Sequence, residues 1–173
     1  MSPAVRKYVV FGIVSAISLG LDQWTKILAR THLKPRGPFD PKVVFEYFHL
    51  RYAENPGVAF SMLQNFPGGV LSVVAVIAFV LVVMHLRKHV PDAATIQHVA
   101  LGLVGGGALG NLLDRLVYGR VTDFIVWRAH WDDKWHEWPA FNIADATLCV
   151  GVALIVIDVI RHRNDAPPEP AST

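Results

Sequence analysis

The chain is poor in cysteine. One residue, Cys149, stands in 173, so an internal disulfide and a cysteine metal cage are both excluded. It is also poor in charge. Charged residues make up 17%, against about a quarter in ordinary soluble domains, which argues against a wholly water-facing surface. Net charge is +2, and the basic residues form no cluster of the kind that grips nucleic acid. Several catalytic signatures are missing too. There is no Gly-x-Ser-x-Gly elbow, no His-Glu-x-x-His zinc helix and no Walker loop. His130 and His136 flank a Trp-rich stretch without metal-ligand spacing. No cofactor is implied.

What the chain has is apolar length. Four stretches, about 5–29, 67–86, 96–116 and 141–160, each approach the ~20 residues needed to cross a ~30 Å hydrocarbon core. Helix is the state that satisfies the backbone in lipid, so the fold class expected is an all-α membrane protein with four spanning helices. The first stretch follows Arg6-Lys7 and continues through Asp22 and Lys26 with no small-x-small cleavage site. It reads as a retained span and not a cleaved leader. Residues 1–163 form one membrane-embedded domain, and 164–173, with three prolines, read as a disordered tail.

The segment 31–66 is rich in β-formers from Val43 to Tyr52. It predicts short strands, turned at Asn55-Pro56-Gly57. The connection from Val117 to Pro139 carries four of the five tryptophans and predicts a loop along the membrane boundary. Basic residues lie at both ends of the spans, so a positive-inside count does not decide orientation. Compact flanks at Arg6-Lys7, Arg87-Lys88 and Arg161-Arg163 lean toward cytoplasmic termini. Gly102, Gly106 and Gly110 recur every four residues, a smooth stripe for close helix packing. Gly105 and Gly107 add flexibility to which spacing attaches no role. Cys149, among small and apolar neighbours, reads as a core residue.

Charged side chains inside spans cost about 2.5–3.5 kcal/mol each, so each asks for a reason. Asp22 and Lys26 are four apart on one helix face, either a self-neutralising pair or an orienting one. Asn111, Asp114 and Arg115 close the third span, as a structural network or as a grip on phosphate or peptide carbonyl. Asp123 lies just beyond it and reads alone as a loop acid. Asp145 opens the fourth span and reads alone as a helix-start carboxylate. Together at one membrane face, they form a carboxylate pair that can share a proton and activate water. Asp158, beside Arg161, reads as a boundary pair. Intramembrane acids also mark ion paths, so a small transporter is a second reading, weakened by the lack of an inverted repeat. A third is an assembly factor using the glycine stripe.

Five motifs run in order: Asp22-Gln23-Trp24-Thr25-Lys26, Asn55-Pro56-Gly57-Val58-Ala59-Phe60, Gly110-Asn111-Leu112-Leu113-Asp114-Arg115, Val121-Thr122-Asp123-Phe124 and Phe141-Asn142-Ile143-Ala144-Asp145. In this register the chain resembles the lipoprotein signal peptidases, the type II signal peptidase family, over nearly its whole length. The resemblance implies an aspartic endopeptidase of the bacterial inner membrane with cytoplasmic termini and a site near the periplasmic face. It implies substrates that are diacylglyceryl-modified prolipoproteins, cut before the lipidated cysteine, and inhibition by globomycin. Asp123 and Asp145 match the catalytic pair. Asn55, Asn111, Arg115 and Asn142 match the polar residues around it, and Asp22 and Lys26 match the first-helix pair. The 31–66 strands match a surface cradle. Membrane lipids are implied as partners; nucleic acid, a metal and an obligate protein partner are not. The stretch between Asp123 and Asp145 departs from the family in its length and its tryptophans.

Overall fold

A computed structural model describes residues 2–37, 39–56, 80, 81, 84 and 95–164. Helix α1 spans Pro3–His32. Ser2 caps it, its Oγ accepting from the Val5 amide at 3.4 Å, with Pro3 in the first turn, where a missing N–H is harmless. Strands β1 (Lys42–Phe45) and β2 (Phe48–Asn55) follow. Helix α2 spans Thr95–Tyr118. It is ended by Gly119, which takes φ 74° and donates its amide to the Arg115 carbonyl at 3.0 Å, a left-handed cap that favours glycine. Strands β3 (Val121–Trp131) and β4 (Lys134–Glu137) lead into helix α3 (Ile143–Asn164). Of the stretch expected to span at 67–86, only residues 80, 81 and 84 are described; the rest, like 165–173, lies outside the described residues.

The helices are inside out. On α1 the buried positions include Lys7, Ser15, Ser18, Asp22 and Lys26, while Ile13, Ile17 and Trp24 are more than half exposed. On α3 the outward positions are Val150, Val152, Val156, Ile157, Val159 and Ile160. A water-soluble helix buries its apolar stripe; these helices bury polar groups and present hydrocarbon, as lipid requires. Among the described residues, two helices, at Ile96–Tyr118 and Ile143–Arg161, are long and apolar enough by composition to cross a membrane. Helix α1 is longer still, and at 30 residues reaches about 45 Å, but charge along its inner stripe dilutes its apolarity.

The glycines of α2 serve two seams. A Cβ on Gly102, Gly106 or Gly110 would come within 2.7, 2.6 and 2.4 Å of Val14, Ser18 and Asp22 respectively. These contacts advance in step along both helices, so α1 and α2 run parallel. Gly107 meets the Ala144 carbonyl, and Gly151 of α3 meets Ala100, which makes α3 antiparallel to α2. Gly105 packs under Phe11. Asp158, expected as a boundary partner of Arg161, is 8% exposed and accepts from Gln97 across the α2–α3 seam. Cys149 is exposed, not in the core. The apolar neighbours that suggested burial face lipid as readily as protein.

The sheet departs from expectation. It has four antiparallel strands in the order β1-β2-β3-β4, and half of it comes from the segment expected to be a loop. Val121 to Trp127 is a β-branched and aromatic run. The β3–β4 hairpin turns in two residues, Asp132 and Asp133, both with positive φ, the mirror-image turn that matches strand twist. The β1–β2 hairpin turns at Glu46-Tyr47 and not at Asn55-Pro56-Gly57; Asn55 ends β2. A small core of Ala29, Leu33, Phe124 and Ile125, flanked by Leu50 and Phe141, fastens the sheet to the C-terminal end of α1.

The seam yields a test. Gly106→Ala puts a methyl within 2.7 Å of both Ser18 and the Ser15 carbonyl, overpacking that costs about 1–3 kcal/mol. Thermal unfolding in detergent should show a clear drop. Gly12→Ala, with nothing within 4 Å, should leave the unfolding temperature unchanged or raise it.

Candidate active site

Strand pairing and a helix cap bring Asp123 and Asp145 together. Phe141 bridges to Ile125 of β3, donating to its carbonyl at 3.0 Å and accepting from the Phe124 and Ile125 amides. That contact lays the start of α3 beside Asp123. Asn142 caps α3: its Oδ1 accepts from the Asp145 amide at 3.0 Å, and Asp145 Oδ2 accepts from the Asn142 amide at 3.2 Å. This reciprocal pair is a capping box, with Asp145 at its third helical position. The other end of the Asn142 amide donates to Asp123 Oδ1 at 2.6 Å. One residue therefore holds both acids, Asp123 through its side chain and Asp145 through its backbone amide.

Two more amides hold the carboxylates. Asn55, at the end of β2 and paired with Val121, donates to Asp123 Oδ2 at 3.0 Å. Asn111 of α2 donates to Asp145 Oδ1 at 2.8 Å. Asn111 Oδ1 in turn accepts from Lys26 Nζ at 2.9 Å and from Asn142 Nδ2 at 3.3 Å. An ammonium can only donate, so Lys26 dictates which end of the Asn111 amide faces Asp145.

Lys26 is fully buried, with Asp22 at 2.9 Å and Asp114 at 3.6 Å, both also fully buried. Asp22 accepts from the Ala144 amide at 2.9 Å, satisfying an N-terminal donor of α3 from another helix. Asp114 accepts from the Thr122 amide at 2.9 Å, holding β3 immediately before Asp123. Arg115 donates to the Asn111 carbonyl at 3.3 Å, and its guanidinium lies within the field of Asp145, Asp123 and Asp114. All nine residues singled out in the sequence converge on one end of the helix bundle.

Two residues of the network were not singled out. Arg30 donates to Thr122 Oγ1 at 2.8 Å, pairs with Asp114 at 3.4 Å and lies over the Tyr118 ring. Gln23 donates to Asp22 and to the Gly110 carbonyl. The signal for Arg30 was present: Asp22, Lys26 and Arg30 are spaced by four along one helix face.

Asp123 is 3% exposed. Burial, then the negative charge of Asp145, raises its pKa to about 7, against the opposing hydrogen bonds from Asn55 and Asn142. Two nearby carboxyls that cannot both ionise easily behave this way. Asp145 is half-buried and borders a cleft of about 270 Å³ with Trp138, Phe141 and Cys149. One acid is thus enclosed, with its pKa raised, and the other borders an open cleft. Among the described residues, no three His, Cys, Asp or Glu side chains converge as a metal would need.

The buried triad predicts a stability effect. Lys26→Met leaves Asp22 and Asp114 buried with their shared cation gone, a break worth about 3–5 kcal/mol. The unfolding temperature in detergent should fall by roughly 10 °C. Lys34→Met, whose partner Glu54 sits at the surface, should change it little.

Comparison with known proteins places the chain in a family. The model of the family described as signal peptidase (SPase) II matches residues 14–161. The chain is 41% identical to the lipoprotein signal peptidase of Geobacter metallireducens over 158 residues, covering 90% of this chain and 93% of that one. It is 34% identical to that of Neisseria meningitidis serogroup C, covering 95% and 98%. A solved structure described as a bacterial membrane enzyme, determined by the in meso method at 2.3 Å resolution, superposes with a TM-score of 0.78 at 26% identity, covering 94% of each chain. With the match running through all three described helices and every strand, the chain belongs to the signal peptidase II family.

Proposed function

We propose that this membrane peptidase removes the signal peptide from diacylglyceryl-modified prolipoproteins by aspartic catalysis, cutting before the lipidated cysteine, with Asp123 and Asp145 as the catalytic pair. Membership of signal peptidase II makes the chain a protease of lipoprotein processing. The observation that carries the aspartic reading is Asn142 bonded to both carboxyls, its side chain to that of Asp123 and its backbone amide to that of Asp145, with the pKa of Asp123 raised to about 7.

Asp123 holds the proton at neutral pH and Asp145, on the open side, is the base. Asp145 takes a proton from water as the oxygen attacks the scissile carbonyl carbon. Asp123 donates its proton to the carbonyl oxygen, giving a neutral tetrahedral diol. Collapse returns that proton to Asp123, and Asp145 delivers its own to the nitrogen as the C–N bond breaks. Asn111 and Asn142 hold the carboxylates in register, and Arg115 offers its planar fork to substrate carbonyl or to the pair.

Residues 1–163 act as one domain with four spans and cytoplasmic termini, in the bacterial inner membrane, the site lying near the periplasmic face. The parallel run of α1 and α2 supports the fourth span, because in a parallel pair the end of one helix and the start of the next lie at opposite ends. The sheet is the cradle over which the peptide passes, with membrane lipid around the helices. Globomycin, which inhibits the family, occupies the same site.

Asp123→Asn and Asp145→Asn should each lower turnover of a diacylglyceryl prolipoprotein by about a hundred- to ten-thousand-fold. Globomycin binding should persist as the folding control. The double variant should be little worse than either single one. Turnover near wild type in either single variant would remove the pair from the mechanism. Asp123 has a raised pKa, so its proton is retained below about 7 and lost above it. The rate should therefore fall as pH rises through that value, with an alkaline limb in kcat.

Arg115→Lys keeps the charge and loses the fork. It should impair turnover at least tenfold, read by gel shift of the lipid-modified precursor. A wild-type rate would reduce Arg115 to a generic cation.

A further inference from the structure

The paired part of the β3–β4 hairpin, 128–131 with 134–137, has two unlike faces, and neither carries Asp123 or Asp145. Its register pairs Arg128 with Glu137, Ala129 with His136, His130 with Trp135 and Trp131 with Lys134, and opposed residues share a face. One face is charged. The Arg128 guanidinium lies 3.9 Å from the Trp135 ring centroid, His130 lies against the same ring, and Glu137 pairs with Arg51 at 3.0 Å. The other face is aromatic apart from Lys134 at the turn, opposite Trp131. Trp131 and His136 stack at 3.6 Å and 4°. Trp127, Trp131 and Trp138 are at least half exposed.

The aromatic face encloses a cleft of about 430 Å³ against Phe141. Two of its lining residues carry a buried nitrogen with no hydrogen bond, Arg128 at Nε and His136 at Nε2, and of these His136 belongs to the aromatic face. An unsatisfied buried nitrogen costs about 1–3 kcal/mol, unless something supplies an oxygen. Trp138 and Phe141 also wall the second cleft, which runs to Cys149 on the outward side of α3. Beyond Cys149 that side continues as Val150, Val152 and Val156. The aromatic cleft is therefore an extension of the hydrocarbon-facing surface of α3. Meanwhile the charged turn, Asp132-Asp133-Lys134, caps the far end of the hairpin.

We propose that the aromatic face of the β3–β4 hairpin is a docking site for a membrane phospholipid, with an acyl chain in the cleft among Trp127, Trp131, Trp138 and Phe141 and an ester or phosphate oxygen received by His136 Nε2. The hairpin then lies flat on the bilayer, aromatic face inward and charged face to water. Indole at the boundary and an amphipathic surface favour that placement. The site depends on the helices lying in lipid and not on the role of Asp123 and Asp145.

Single-tryptophan proteins test the two faces. Retaining only Trp131 or only Trp135, with the other four tryptophans changed to Phe, gives one reporter per face. In nanodiscs containing phosphatidylglycerol and phosphatidylcholine brominated high on the acyl chain, Trp131 fluorescence should fall at least twofold. Trp135 should instead be quenched by aqueous iodide. Globomycin binding verifies that each protein is folded. With all tryptophans in place, His136→Phe should reduce the phospholipid retained in native mass spectra at least threefold. Equal iodide access to both reporters, unchanged lipid retention in His136→Phe, or loss of Trp131 quenching when a lipid-modified prolipoprotein saturates the Asp145→Asn protein would each overturn the proposal. The last result would give the cleft to substrate.

Discussion

The buried ammonium of Lys26 is the constraint from which the site is built. It has no exposed surface, and a lone charge in such a place would be prohibitively costly. It is therefore met by Asp22, Asp114 and the side-chain oxygen Oδ1 of Asn111. Two carboxylates would overcompensate one cation, and Arg30 beside Asp114 restores the balance. Each partner has a second task. Asp22 holds the Ala144 amide of α3, Asp114 holds the Thr122 amide of β3, and Asn111 turns its donor to Asp145. The charge that must be neutralised thus locks α3 and β3 onto the α1–α2 pair at once.

Neutralisation at that depth requires the backbones to approach closely, and glycine supplies the room. Asp22 could not reach its position if residue 110 carried a Cβ, which would sit 2.4 Å from Asp22 Oδ2. The α2 helix is lined with glycine on two sides, toward α1 at Gly102, Gly106 and Gly110 and toward α3 at Gly107. Lipid tails offer no hydrophobic drive for helix association, so packing and polar bonding between helices must supply it. The Ser15 hydroxyl on the Gly102 carbonyl, at 3.0 Å, and Gln97 on Asp158 extend polar bonding along the length of the bundle.

Placement of the three described helices was legible because apolar length is a strong signal in a chain with so little charge. The observed starts and ends differ by a few residues; α3 begins at Ile143 because Phe141 is claimed by β3 and Asn142 by the cap. The strand at Val121–Trp131 was not legible. Its first six residues are all buried, so the alternation that betrays a strand is absent. Cys149 was misplaced for a related reason: in a membrane helix, apolar neighbours do not distinguish inside from outside. The polar residues of the site were visible as costs without evident return. Their convergence was not, because it depends on contacts such as Asn55 with Asp123 and Asn111 with Asp145, which join residues far apart in the chain.

The parallel α1–α2 seam pairs each residue of α1 with one about 88 positions later, as Asp22 with Gly110 or Lys26 with Asp114. Synthesis is directional, so α1 enters the membrane well before its partner exists. At about 5–20 residues per second the wait is on the order of 4–20 s. Through that interval Asp22 and Lys26 have only each other. Their spacing of four lets them bond as soon as the helix winds, before any tertiary contact is available. The pair that later anchors the site therefore doubles as a temporary escort for its own charges. Separating the two along the helix would leave the finished network geometrically possible while exposing the nascent chain to quality control.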